Sequence, residues 1–301
     1  MKLNQLKYFI AVAEAGSTTK AAEILNLTQP AITRGILQLE MEIGVKLFER
    51  LPRSMRLTRF GEAYLRHARS VFVQLDNAQA EMGYLLENPV EEIVIGAGPT
   101  WLRATLPEVI SDLSRAYPEV SIRVRGGYDE QLLTMLDRGE VAFVLTETSR
   151  NRMRSDLEQE PLIKCEYVVA GRRRHPLAGN RKVKLSQLLN YPWAMPDQAV
   201  SALDRLRGLY LATSLPAPEP VIRSTSLNFI LKLLASSDAL SFVVRSSLQD
   251  ARQDGIVSIP VASEMPVRSA GIVKKKGTWN SPVVTQLAAM LRKSCQANPV
   301  Q

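Results

Sequence analysis

Apolar and polar positions follow helical rhythms through the first third of the chain. Over 3–15, Leu3, Leu6, Ile10 and Ala13 recur at helical spacing with Phe9 beside them, which predicts an amphipathic helix. Residues 17–40 predict two short helices around a tight turn. Ser17 and Thr18 are placed to accept backbone hydrogen bonds at the start of the first, over 19–25. Asn26-Leu27 makes the turn and Thr28 offers a second N-cap. Pro30 falls in the first turn of the second helix, where its missing N–H breaks no intrahelical bond. Beyond it, Ile32, Ile36, Leu39 and Ile43 recur at 4-3-4 spacing as one buried stripe. The opposite face carries Gln29, Pro30, Thr33, Arg34 and later Gln38. Residues 49–59 read as a small hairpin with Pro52-Arg53-Ser54 at its tip. A long helix follows over 60–87, in which Tyr64, Ala68, Val71, Leu75, Ala78, Met82 and Leu85 form a heptad seam. Little of its own domain remains to cover that seam, so a partner helix from a second subunit is the stronger reading.

After Asn88-Pro89, a natural hinge, the rhythm changes. Apolar strands over 93–97, 120–124 and 141–146 alternate with helices over 102–116 and 129–138. This βαβαβ run predicts a mostly parallel sheet covered on both faces. A second unit begins near residue 161, with strands over 166–171, 193–195, 221–224 and 240–244 and helices over 185–189, 202–211 and 227–236. The chain returns through 267–273 to a last helix over 282–295. The expected picture is two α/β subdomains joined by two crossings, with a cleft between them.

Composition adds limits. The 301 residues are 46% hydrophobic and 23% charged, an ordinary globular profile with room for two or three domains. No window approaches the roughly 20 apolar residues of a membrane span. The N-terminal apolar run is broken by Glu14, unlike a signal peptide, so a cytoplasmic protein without membrane contact is expected. Two cysteines and two histidines give neither a disulfide framework nor a zinc site. The formal charge of +8 favours an anionic partner. Lys46, Arg50, Arg53, Arg56 and Arg59 lie close together in the hairpin region, opposed by Glu49. A polar helix N-terminus followed by a basic hairpin is what a winged helix-turn-helix offers double-stranded DNA. Gln and Arg can pair with adenine and guanine edges, a Thr methyl can meet a thymine methyl, and the hairpin arginines can hold phosphates. The blander reading of the same helices is an ordinary αα-hairpin. The runs Arg172-Arg173-Arg174 and Lys274-Lys275-Lys276 read as solvated loops or strand ends.

Catalytic signatures are missing. No GxSxG, HExxH or Walker loop is present, and His67 and His175 have no nucleophile beside them in sequence. Gly96-Ala97-Gly98-Pro99-Thr100-Trp101 follows a strand and opens a helix, but Trp101 stands in the sixth place of the dinucleotide fingerprint. No enzyme, cofactor or metal is expected. The helix start at Pro99, Thr100 and Trp101 instead suits one wall of a small-molecule pocket; the rival readings are a plain N-cap at Thr100 and a core residue at Trp101. Thr146 at a strand end, Pro196 and Ser201 near a crossing, and Thr225 before a helix are the opposite candidates. Glu147 beside Thr146 would disfavour an anion there.

The first ninety or so residues resemble the LysR-type transcriptional regulators. The resemblance rests on Leu6, Phe9, Gly16-Ser17, Ala21-Ala22, Leu25, Thr28-Gln29-Pro30-Ala31, Thr33-Arg34, Leu39-Glu40, Gly44, Leu47-Phe48, Arg50, Leu57-Thr58 and Gly61. Gly35 and Ser54 depart from it, since a longer polar residue and a wing-tip Gly are usual there. Gly35 should cost the helix about 1 kcal/mol relative to Ala. Further along, Leu106-Pro107, Tyr117-Pro118, Gly139, Pro161-Leu162 and His175-Pro176-Leu177-Ala178 match more loosely, while Ala142 and Ser237-Asp238-Ala239 depart.

The resemblance implies an α+β multidomain fold. A winged helix-turn-helix DNA-binding domain would span 1–58 and a linker and dimerisation helix 59–88. A periplasmic-binding-protein-like effector domain would span 89–301, with subdomain I at 89–163 and 265–301 and subdomain II at 164–264. It also implies a homodimer or homotetramer reading an interrupted inverted repeat, a small-molecule effector in the cleft, and contact with RNA polymerase. By it, Thr28, Gln29, Pro30, Thr33, Arg34, Gln38, Arg50, Arg53 and Arg56 face DNA, and Pro99, Thr100, Trp101, Thr146, Pro196, Ser201 and Thr225 face the effector. The rival readings are a small-molecule-binding protein whose first domain only dimerises, and a DNA binder without effector.

Overall fold

The computed structural model describes residues 2–51, 54–85, 92–148, 154, 156–248 and 254–297. The chain forms two compact units, one from residues 1–86 with 137–139 and one from the remainder.

The first unit opens with α1 (Leu3–Ala15), α2 (Thr18–Leu25) and α3 (Gln29–Ile43). Left-handed residues close these helices: Gly16 at φ 64°, Asn26 at φ 53° and Gly44 at φ 80°. Ser17 and Thr28 occupy the N-cap positions as expected, but neither side chain makes a capping bond. Strands β1 (Phe48–Leu51) and β2 (Ser54–Leu57) pair antiparallel, with Phe48 opposite Leu57, as the wing. The Met55 N–H donates to the Gly16 carbonyl at 2.8 Å and ties the wing to the α1–α2 corner. Helix α4 (Arg59–Leu85) follows. The core joins Leu6, Phe9 and Val12 to Ala21 and Ala22, to Ile32, Ile36 and Leu39 of α3, and to Leu47 and Phe48. Phe9 sits 5.3 Å from Phe48 and 5.5 Å from Tyr64, centroid to centroid, so one aromatic ring joins three elements.

Two residues of this unit have roles that the sequence pattern does not disclose. Glu40 is buried, and its carboxylate accepts from the Leu47 and Phe48 N–H groups at 2.8 and 3.2 Å and from Lys46 Nζ at 2.7 Å. It fixes where the wing leaves α3. Gly35, which departs from the family pattern, lies away from the polar face, buried on the inner side of α3. A Cβ there would stand 2.5 Å from Tyr8 Cδ2, so the residue is small because the α1 ring packs on it. Gly35→Ala should therefore destabilise the parent chain by about 1–3 kcal/mol through overpacking. In a Tyr8→Ala background it should instead stabilise by about 1 kcal/mol through helix propensity. Urea unfolding of the four variants measures this coupling. Equal effects in both backgrounds would contradict it.

The second unit begins with β3 (Glu92–Ala97), α5 (Pro99–Arg103), α6 (Thr105–Ala116), β4 (Ser121–Gly126), α7 (Asp129–Asp137) and β5 (Val144–Glu147). It continues through β6 (Leu157–Arg172), α8 (Leu185–Leu188), β7 (Ala194–Pro196), α9 (Val200–Leu211), β8 (Ile222–Ser224) and α10 (Leu227–Ser236). β9 (Ser241–Val244), β10 (Ile256–Ile259), β11 (Val267–Lys275) and α11 (Pro282–Ala297) complete it. The expected helix over 102–116 is two helices, broken at Ala104 with φ −118° and ψ −97°.

The three strands of the βαβαβ run pair parallel as expected, but the sheet they belong to is not mostly parallel. In the seven-stranded sheet, ordered β10-β6-β11-β5-β3-β4 with β9 also on β6, parallel pairing among the described residues is confined to β3 with β4 and β5. β11 pairs antiparallel with both β5 and β6, and β6 pairs antiparallel with β9 and β10. β6 is far longer than the expected strand. Its first part lies on β11, and from Tyr167 it lies on β9 and then β10. A separate parallel pair, β7 with β8, completes the unit. His175 is structural: its Nδ1 accepts from the Leu177 N–H at 3.1 Å and its Nε2 lies 3.2 Å from the Asp238 carbonyl. Burial holds its pKa below the usual value.

Candidate DNA interface and ligand cleft

Because the 4-3-4 stripe of α3 is buried, its other face must be polar and outward. Thr28, Gln29, Pro30, Arg34 and Gln38 are exposed, and Thr33 is half-buried. Gln29 Nε2 donates to Thr33 Oγ1 at 2.9 Å and to Thr18 Oγ1 at 3.3 Å. This brings Thr18 of α2, a residue absent from the sequence-based set, to the same polar surface. Arg56 on β2 is exposed. Arg53 lies outside the described residues, as does the side chain of Arg50. The wing meets α4 closely: Thr58 Oγ1 donates to the Lys46 carbonyl at 2.8 Å and accepts from the Gly61 N–H at 3.0 Å. A Cβ on Gly61 would lie 2.1 Å from the Leu47 carbonyl oxygen, so only glycine fits.

The heptad seam of α4 divides in two. Ala68 is buried and Tyr64 half-buried in the core of the first unit. Val71, Leu75 and Met82 are 40%, 41% and 53% exposed, an apolar stripe left uncovered in the single chain. The side chain of Leu85 lies outside the described residues, as does the Asn88-Pro89 hinge.

The second unit holds a cleft enclosing about 590 Å³ of empty space, the solvent at its open mouth included. It lies beyond the carboxyl ends of β3, β4 and β5. Because β4 and β5 flank β3 on opposite sides, this is the topological switch point where α/β sheets bind ligands. Pro99, Thr100, Trp101, Thr146, Pro196 and Ser201 all line it. Thr225 does not: it is exposed outside the cleft, and Leu227 at the start of α10 lines the wall instead. The sequence reading missed Tyr128, Asp129, Tyr167, Phe242, Ser247 and Arg268, which also line it.

Thr146 Oγ1 donates to Asp129 Oδ1 at 2.6 Å. Arg268, from β11, is largely buried, its side chain 12% exposed: its Nη1 stands 3.8 Å from Asp129 Oδ1 and 3.9 Å from Glu147 Oε2. Its Nη2 lies 3.4 Å from Thr100 Oγ1, and its Nε has no hydrogen-bond partner. Glu147 is committed to Arg205, whose Nη2 bonds Glu147 Oε1 and whose Nη1 holds the Ser201 carbonyl at 3.0 Å. That pairing eases the tension noted for Glu147 at Oε1, while Oε2 keeps no hydrogen-bond partner. Tyr167 stacks on Phe242 with centroids 4.7 Å apart and 7° between planes, and both arginines lie near its ring. Burial pushes the Tyr128 hydroxyl up to about 12, so it stays protonated.

These features define a ligand-responsive, DNA-binding regulator. Residues 3–62 match the family model described as the bacterial regulatory helix-turn-helix protein, lysR family, and residues 87–296 match the LysR substrate binding domain. The HTH-type transcriptional regulator GalR of Pseudomonas putida is 27% identical, covering 96% of each chain. The hydrogen peroxide-inducible genes activator of Escherichia coli O6:H1 is 26% identical, covering 97% of this chain and 95% of its own. Among solved structures, a full-length OxyR cysteine variant from Pseudomonas aeruginosa superposes with a TM-score of 0.62 at 23% identity, covering 98% of this chain and 95% of its own. The chain belongs to the LysR family of DNA-binding transcriptional regulators, and residues 87–296 are the family's substrate-binding domain. No helix among the described residues is long and apolar enough to cross a membrane.

Proposed function

We propose that this regulator acts in the cytoplasm as a homodimer or homotetramer on an interrupted inverted repeat, and signals through RNA polymerase. It carries no catalysis of its own. The working division is a winged domain over 1–58, a linker helix over 59–88, and an effector domain over 89–301. The observation that carries the DNA reading is the exposed polar N-terminal face of α3 beside the wing. On it, Gln29, Thr33 and Arg34 read base edges, Thr28, Pro30 and Gln38 flank them, and Arg50, Arg53 and Arg56 hold phosphates. Pro99, Thr100, Trp101, Thr146, Pro196 and Ser201, joined by Asp129 and Arg268, form the effector site; Thr225 drops out of that set.

The phosphate role is tested by a salt titration. Arg56→Ala should weaken binding to operator and scrambled duplexes alike and lower the slope of log K against log salt by about 1. Fluorescence anisotropy at several salt concentrations measures it, and an unchanged slope would remove Arg56 from the phosphate set. The hydrogen peroxide response named for one relative is a second reading, and the thiols oppose it. Cys165 and Cys295, the chain's two cysteines, are both buried. Burial pushes the Cys165 thiol up and the Cys295 thiol to about 11, which leaves little thiolate to react.

A further inference from the structure

The charges of the cleft select among ligand chemistries. Among its described lining residues Arg268 is the one cation and Asp129 the one carboxylate. They face each other at 3.8 Å, beyond hydrogen-bond reach, so neither satisfies the other. The largely buried Arg268 keeps an unpartnered Nε, and its other contacts are long: 3.4 Å to Thr100, 3.8 Å to Asp129 and 3.9 Å to Glu147. Buried donors without acceptors are costly, and a ligand oxygen supplies what is missing. A plain carboxylate would meet Arg268 but would place a second negative charge against Asp129. A plain amine would meet Asp129 but face the Arg268 cation. A sugar would find mostly apolar wall, from Trp101, Leu145, Tyr167 and Phe242.

From these observations the geometry points to an apolar α-amino acid as the effector. Its carboxylate accepts from Arg268 and Thr100, its ammonium donates to Asp129, and its side chain lies on the aromatic and aliphatic wall. The zwitterion adds no net charge to a lining that itself carries none. Arg205 holds Glu147 Oε1, while Glu147 Oε2, without a hydrogen-bond partner and 3.9 Å from Arg268, adds a second reason why a bare anion is disfavoured beside Arg268. This inference rests on the reading of the cleft as the effector site and names the ligand class for it.

Calorimetry on the full-length chain tests the inference. The probes are the apolar L-α-amino acids from alanine to phenylalanine. Each is run beside the acid lacking its ammonium and the amine lacking its carboxylate, such as 3-phenylpropanoate and phenethylamine. The expected result is that at least one amino acid binds and that loss of either charge weakens it roughly tenfold to a hundredfold. Arg268→Gln should remove the advantage over the amine, and the near-isosteric Asp129→Asn the advantage over the acid. The proposal is overturned if no apolar amino acid binds at millimolar concentration, if the acid binds as well as the amino acid, or if both variants bind unchanged. Ala202→Trp, which fills the cleft from α9, separates the two levels. Binding of a simple acid that this variant abolishes would keep the cleft and reject the amino acid. Binding of any probe that survives it would reject the cleft as well.

Discussion

Leu75→Glu is expected to turn the protein into a monomer and to weaken operator binding roughly a hundredfold to ten-thousandfold. The residue lies in the uncovered part of the α4 seam, between Val71 and Met82, and is 41% exposed in the single chain. A charge there costs the folded unit little, because along α4 its own core takes in Tyr64, Leu65, Ala68 and Phe72 but not Leu75. Across a helix pair it would be buried without a partner, which is strongly unfavourable. Tethering two winged domains makes the second half-site contact intramolecular, and losing that tether forfeits the avidity factor. Sedimentation of the variant gives the mass, and anisotropy on an operator duplex gives the affinity. Asp76→Ala, at an exposed position next along the helix, should change neither. A Leu75→Glu protein that sediments as the parent does would place the subunit contact elsewhere.

The second large effect is at Arg34. Arg34→Ala should cost about 1–3 kcal/mol of discrimination between operator and scrambled duplex, the value of one lost bidentate base pairing. Arg34 is exposed on the face of α3 that carries Gln29 and Thr33. Its stability cost should be small, because Ile32 and Ile36 hold the helix from the other side. Competition titrations with the two duplexes measure the difference. Equal loss on both would make Arg34 a backbone contact like Arg56.

Where local spacing determines local structure, the sequence was legible. The 4-3-4 stripe of α3, Pro30 in its first turn and the wing hairpin all depend on neighbours a few residues away. So does the βαβ rhythm that put Thr100 and Thr146 at strand ends, where parallel strands meet a cleft. What escaped was set at long range. Glu40 is one matched position of the family pattern, with no role visible in spacing, until the wing folds back and brings its N–H groups. Gly35 reads as a helix flaw until Tyr8 of α1 is laid against it. Arg268 comes from β11, placed beside β5 only by antiparallel pairing across more than a hundred residues. No spacing rule joins it to Asp129 or Thr100. Thr225 failed for the opposite reason: a hydroxyl before a helix is a common cap signal, and it carries no information about which side of the turn opens to the cleft.

The measurement that tests the account most directly is selection of bound duplexes from a randomised pool by the full-length protein, followed by sequencing. The account predicts enrichment of an interrupted inverted repeat whose half-site centres are set about one helical turn, or a multiple of it, apart. Arg34→Ala should blur defined positions within each half-site. Recovery of duplexes with no shared sequence, or of a single unrepeated site, would contradict it.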